Sequence, residues 1–486
     1  MNFFKNPQPK PVVVRHRVPA TAKKPPAKPT KENVTPVVEK AAAKRYQLST
    51  PRTRCLKRKS ATPDVAFSSS SDSEQEDATP EPRKRPRMLE EEEVTGPPRK
   101  VVRTAAFASS SYTADVVKDL IHGASLTSGH KADKLYNHWE SEGSSELTIE
   151  LQYPTAGGRE RFELKWPRND DYYNPLEDMR STIETIIDYY VPPAKRAELQ
   201  DVNNGIERRL RRAFRTKDLS AWKSAVADFN AAMSELIASG AMAAHVASQS
   251  SDLKWIQKIL DQTFSRTVSP NVAKLRAYKS GSDNVYGELL PRFSTEIFRR
   301  TGLSQNDVFI DLGSGVANVV LQAALETGCE AHGIEMMKNP CELARLQSKE
   351  FLARVRGFWG LQPGTVNLMD GDMTLHPDIP ALLQRADVVL VNNQVFTPAL
   401  NEKLRDMFLD LKEGARVVSL KPFVPECQRI SLRNMHHSAN MFVQQKFDYY
   451  SDMVSWSHGS HVRHWYIATK DLRPLKAFQE KVGLDL

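Results

Sequence analysis

The chain has 486 residues, room for two or three domains, and 40% of them are hydrophobic, enough for a sizeable core. Its net charge of +9 comes entirely from the first hundred residues, where 22 Lys and Arg stand against 12 Asp and Glu; the rest carries 46 against 47. Four scattered cysteines form no Cys-X-X-Cys pair, no apolar run approaches the roughly 20 residues of a membrane span, and MNFFKNPQPKP has no secretory apolar core. A disulfide scaffold, a thiolate metal site, a membrane span and secretion are therefore not expected.

Residues 1–110 read as a disordered basic arm. They hold 15 of the 30 prolines, and sparse apolar residues cannot offset about 1–2 kcal/mol of backbone entropy per residue. Two clusters, Arg52–Lys59 and Arg83–Arg87, fit nuclear import, DNA phosphate contact or both; a solvated charge run is the alternative. Between them, Ser68–Asp77 is either a phosphorylation segment that would weaken such contacts or a plain acidic spacer.

Residues 111–270 have globular composition. Leu147, Ile149 and Leu151 alternate with polar residues, as do Phe162, Leu164 and Trp166, around Gly157-Gly158; this predicts a hairpin with one buried face. Helical stripes follow at Met179–Tyr190, Trp222–Ile237 and Leu253–Phe264. From 271 to 486 the pattern changes again. Apolar runs at Val308–Leu312, Ala331–Glu335, Thr365–Met369, Val388–Val391 and Ala415–Leu420 alternate with helix-like stretches. That is the signature of a parallel sheet with crossover helices.

The chemistry gathers at the ends of these strands. Asp311-Leu312-Gly313-Ser314-Gly315 closes the first one, and glycines there let a ligand approach the backbone. A lone Gly-X-Gly also fits a dinucleotide. Glu335 ends the next strand, suited to two ribose hydroxyls, and Asp372 follows the third, suited to an adenine amino group. Acids after three successive strands suit a nucleoside bearing a cationic sulfonium; Asp311 beside the helix start argues against the pyrophosphate of NAD. The fourth strand ends in Asn392-Asn393-Gln394-Val395-Phe396, and Asn392 offers a carbonyl to orient an attacking amine.

The ordered series Val285–Leu289, Asp311–Val320, Glu335, Gly371-Asp372, Val391–Asn393, Ser419–Phe423 and Val454–Trp456 closely resembles the histone H3 lysine-79 methyltransferases of the disruptor-of-telomeric-silencing family, fungal type. The resemblance implies a Rossmann-like class I methyltransferase of the α/β class. Its seven-stranded, mostly parallel sheet would follow a mainly helical subdomain. S-adenosyl-L-methionine would be the methyl donor, S-adenosyl-L-homocysteine the product, and no metal would take part. By the same resemblance Tyr286, Gly287, Glu288 and Leu289 lie over the methionine end of the donor. Asp311, Leu312, Gly313, Ser314, Gly315, Val316, Ala317, Asn318, Val319 and Val320 hold its amino-acid part, Glu335 the ribose, and Asp372 and Met373 the adenine. Asn392 stands where donor and lysine meet, and Trp456, Trp465 and Tyr466 wall the lysine channel. Implied partners are the nucleosome (histone H3, the histone H4 tail, ubiquitinated histone H2B) and DNA through the arm. The implied protein is a nuclear monomer with roles in chromatin silencing and the DNA-damage response.

Three positions depart from the family pattern: Ala317 for a third glycine, expected to cost little, Gln394 for an aromatic, and Trp465 for a tyrosine. The last two bear on channel shape and on the number of methyl groups added. The competing functions are a methyltransferase for another nuclear substrate and a catalytically weak chromatin scaffold. Base methyltransferases place Pro-Pro after the fourth strand, which this chain lacks, and no paired-Glu loop suits arginine.

Overall fold

The computed structural model describes residues 99–129, 132–139, 147–275, 287–455 and 463–483. The basic clusters, the Ser68–Asp77 stretch, Tyr286 and Trp456 lie outside these residues.

The short strands come first. β1 (Tyr136–His138) pairs antiparallel with β4 (Lys165–Pro167), and β2 (Thr148–Gln152) with β3 (Arg159–Glu163). The second pair is the expected hairpin: Leu151 and Phe162 point into the core while Glu150 and Arg161 face solvent. Trp166 belongs to the other pair. The three apolar stripes are the helices Pro175–Tyr190, Leu219–Ala238 and Leu253–Thr267. Each begins where a side-chain oxygen accepts an otherwise unpaired N–H: Asn174 from Glu177, Asp218 from Ala221, Asp252 from Lys254. Such a cap stabilises a helix by about 1 kcal/mol.

The large sheet contains β5 (Val308–Leu312), β6 (Glu330–Glu335), β7 (Val366–Asp370), β8 (Val388–Val391), β9 (Arg416–Ser419), β10 (Phe442–Tyr449) and β11 (Arg463–Lys470). Its order is β10-β11-β9-β8-β5-β6-β7. β5 to β9 run parallel, and β11 is inserted antiparallel between β9 and β10. The strand order reverses at β5, which has β6 on one side and β8 on the other. In open α/β sheets ligands bind at the carboxyl ends beside such a reversal.

Two expected boundaries are corrected. Structure begins before residue 110: the Arg99 guanidinium donates to the carbonyls of Leu325 and Gln362, Thr104 donates to that of Arg356, and Ala106 and Phe107 are buried. Nor does a break fall at 270. One apolar core extends from Phe107 through the helices to Trp465 and Ile467, because the helical layer completes its buried face against the helices covering the sheet.

A buried ionic network crosses that junction. Glu160, fully buried, accepts from Arg266 at 2.6 Å and Arg354 at 2.7 Å, from the Tyr153 hydroxyl and from the Gly123 N–H. Asp178 takes Lys258 at 2.7 Å and Arg266 at 2.6 Å. Burial alone would raise the Glu160 carboxyl, but the two guanidinium groups outweigh it and hold its pKa at about 2. Glu350 also meets Arg354 at 2.7 Å, yet burial leaves its pKa raised, since Arg354 is shared with Glu160. Arg354 opens a π-helical turn, Arg354–Phe358, which extends the helix Lys338–Ala353 toward the hairpin.

Candidate active site

At the carboxyl edge the acids fan out across three neighbouring strands. Asp311 sits one residue before the end of β5, Glu335 ends β6 in register with Asp370 of β7, and Asp372 lies two residues further. The loop after β5 is held down by two bonds: the N–H groups of Gly313 and Ser314 both reach the carbonyl of Ile334 at 2.9 Å. Gly313 has φ +92°, and a Cβ there would project toward Met373 Cε at 3.6 Å and Phe396 at 3.9 Å. The loop therefore needs glycine for conformation, and the missing Cβ leaves space between those two side chains.

Gly315 donates its N–H to Glu335 at 3.0 Å, and Met337 donates to the other oxygen at 2.7 Å. Asp372 accepts from the N–H and hydroxyl of Thr374, both at 2.7 Å. Partial burial opposes its ionisation, but these bonds prevail and lower its pKa. Asp311 differs. Burial and then the nearby Glu335 push its pKa up to about 7. A buried carboxyl beside a second carboxylate is a site that a positive ligand would relieve.

A second layer closes over this edge. The main chain of Glu288–Leu290 pairs with Met453–Ser455. The Glu288 carboxylate accepts from Asn318 at 3.0 Å, and Gln347 donates to Asn318 at 3.0 Å and to the Val316 carbonyl at 2.7 Å. Asn392 donates its side-chain amide to the Gly287 carbonyl at 3.2 Å. The strand register puts Asn392, just past Val391, beside Gly313, just past Leu312. The structure thus brings together Gly287, Glu288, Asp311, Gly313, Gly315, Asn318, Glu335, Asp372, Met373 and Asn392.

Other expected residues stand behind the edge. Leu289, within the closing layer, turns its side chain into the core, Leu312 packs in the sheet's second apolar cluster, and Val316, Val319 and Val320 pack under the loop. Ala317 caps the helix Asn318–Glu326 at φ +69°, a left-handed conformation in which a Cβ costs about 1–2 kcal/mol. The alanine is more costly than expected. Trp465 lies in line with Asn392 across the sheet edge, but its ring is 1% exposed, wedged between Phe293 and Phe447. It is corrected from a channel wall to a support, because the alternation of β11 turns it into the core. Tyr466, next in the strand, faces the opposite side of the sheet from Trp465 and lines a cavity of about 570 Å³ with Val424, Gln444 and Lys446.

Two residues had been given no role from the sequence. Asn393 is fully buried, accepting from the N–H groups of Leu420 and Lys421 and donating to Asn401 and the Lys421 carbonyl. It ties the end of β8 to the loop after β9. Met336, 50% exposed immediately after Glu335, presents apolar surface at the cleft.

A family profile described as "Histone methylation protein DOT1" matches residues 264–470. The "Histone-lysine N-methyltransferase, H3 lysine-79 specific" of Aspergillus fumigatus is 43% identical over 441 residues, 90% of this chain and 85% of that protein. Its namesake in Emericella nidulans is 46% identical over 367 residues, 75% of this chain and 72% of its own. The chain belongs to the DOT1 family. In Yarrowia lipolytica a protein of the same description is 36% identical over 391 residues, covering 79% of this chain and 78% of that one. The DOT1 match begins within the helix Leu253–Thr267 and ends with β11, so it takes in the whole sheet and both closing segments. The longer matches to DOT1 relatives reach beyond it into the helical layer that completes the core.

Proposed function

We propose that the chain transfers a methyl group from S-adenosylmethionine to lysine-79 of histone H3 in nucleosomes, inside the nucleus. The observation that carries this reading is the paired carboxyl site of Asp311 and Glu335 beside the Gly313 loop. The donor fits these residues: its ammonium and sulfonium would offset the buried Asp311 carboxylate, the space over Gly313 admits its backbone, and Glu335 and Asp372 offer acceptors to ribose and adenine. Met336 and Met373 supply apolar contact for the flat base. When bound, the donor supplies an electrophilic methyl group on sulfur.

This chain's own residues then orient and desolvate. Asn392, tethered to Gly287, carries an amide carbonyl at the sheet edge that can align the incoming amine. A lysine with an ordinary pKa near 10.4 costs about 4–5 kcal/mol to present neutral at pH 7. Desolvation in a closed channel lowers that pKa, as does a neighbouring positive charge. Alignment of amine and methyl supplies further acceleration. The N-terminal basic clusters are proposed to hold DNA, and the histone H4 tail and ubiquitinated histone H2B are proposed as additional contacts.

The test is transfer of labelled methyl onto whole nucleosomes, free histone H3 and naked DNA side by side. Label on histone H3 within nucleosomes supports the reading. Label on DNA, or donor binding with no transfer to any of the three, overturns it.

A further inference from the structure

The helix Ile206–Thr216 turns two different stripes outward and inward. Ile206, Leu210 and Ala213 are buried against the neighbouring helices. At 100° per residue, Arg208, Arg212 and Arg215 lie on the opposite side, and all three are exposed. Their flanking arginines are neutralised: Arg209 pairs with Asp228 at 2.6 Å, and Arg211 with Glu207 at 2.5 Å. Among the described residues, no ion pair or hydrogen bond engages the guanidinium groups of Arg208, Arg212 or Arg215; the Thr216 hydroxyl reaches Arg212 only at its main-chain carbonyl. Three exposed cations in one row, of which Arg208 borders a surface pocket that also holds Glu184, Asp201 and Glu207, are therefore displayed from a helix that contributes nothing to the cleft.

We propose that this row is a second DNA-binding surface, distinct from the N-terminal arm, that grips the phosphate backbone of nucleosomal DNA; this rests on the nucleosome reading above. Three observations favour duplex DNA over an acidic protein. Seven residues of helix span about 10 Å, the axial length over which one strand of duplex presents three to four phosphates. The row carries no apolar side chain between its arginines, whereas protein interfaces centre on apolar or aromatic anchors. The three guanidinium groups are planar donor forks without an ion-pair partner, a geometry suited to phosphate oxygens.

The experiment uses the full chain and its R208A/R212A/R215A and R208K/R212K/R215K variants. Each is titrated with a fluorescent duplex of arbitrary sequence between 50 and 300 mM salt. The Ala variant is expected to bind at least tenfold more weakly at 100 mM salt, with the slope of log K against log salt reduced by about 2–3. The Lys variant keeps the slope. Thermal melting and calorimetry with the methyl donor serve as controls, and neither changes, because the row touches neither core nor cleft. An unaltered slope in the Ala variant overturns the proposal. So does weaker nucleosome binding with unaltered DNA binding, which would assign the row to an acidic histone surface. If donor calorimetry shows no binding to the wild type, the methyltransferase reading fails, and the DNA slope still decides this one.

Discussion

Replacing Asp311 by Asn should move stability and donor affinity in opposite directions. In the folded chain the Asp311 carboxyl is held at about 7, against an ordinary value of 3.8. A raised carboxyl means that the folded state keeps a proton the unfolded chain has already lost. Stability therefore falls as pH rises from about 4 to about 7, and stays lowered above it. The gap corresponds to about 4 kcal/mol at pH 8, an upper figure because the pair with Glu335 relaxes in solution. Asp311→Asn removes the buried charge, so the donor-free variant should melt several degrees above wild type at pH 8. At pH 5.5 the gap should shrink to about half, and it should close only near pH 4. Donor binding should respond in reverse: wild-type affinity falls as pH drops below about 7 and Asp311 takes up its proton, while the Asn variant binds weakly at every pH. Thermal melts at both pH values and calorimetry from pH 5.5 to 8.5 measure this. A variant that melts below wild type at pH 8, together with wild-type affinity flat across that range, would refute the assignment of a charge-starved cation site.

Asn392→Ala should lower turnover on nucleosomes at least a hundredfold with little change in donor affinity, whereas Asn393→Ala should lower the melting temperature, because it strips partners from buried Leu420 and Lys421 amides; paired kinetics and melts separate the two. Ala317→Gly should stabilise the chain by about 1 kcal/mol by relieving the left-handed backbone, read by denaturant midpoint with donor affinity unchanged. Glu160→Gln should cost about 3–5 kcal/mol, since it leaves two buried guanidinium groups short of charge. With Glu160 held at about 2 and Asp178 also depressed, the stability this network adds is complete above about pH 4.5 and is lost as pH falls toward 2; urea melts at pH 3 and pH 7 should narrow the gap between wild type and variant.

The sequence by itself determined the parallel half of the sheet and the glycine loop that follows its first strand. Strands buried on both faces read as short apolar runs: β8 is apolar throughout, and β5 and β9 carry apolar stretches at Val308–Ile310 and Val417-Val418, while a ligand loop with φ above zero declares itself with Gly313 and Gly315. The three helices were legible for a local reason too, as apolar stripes at helical spacing. Only the tertiary structure decided what depends on partners far along the chain. β10 is an edge strand whose exposed Val443 and Gln445 blur any alternation, and β11 is identified by insertion between β9 and β10. Arg354 meets Glu160 across 194 residues, a pairing that no spacing announces. Arg99 looks like the tail of a basic arm until the Leu325 and Gln362 carbonyls are seen to receive it. Trp465 and Asn393 show the same limit: both residue types suggest chemistry at a strand end. Pleating turned one into the core and backbone satisfaction claimed the other, because a side chain's role is set by the direction its Cα–Cβ bond takes once neighbouring strands are in place.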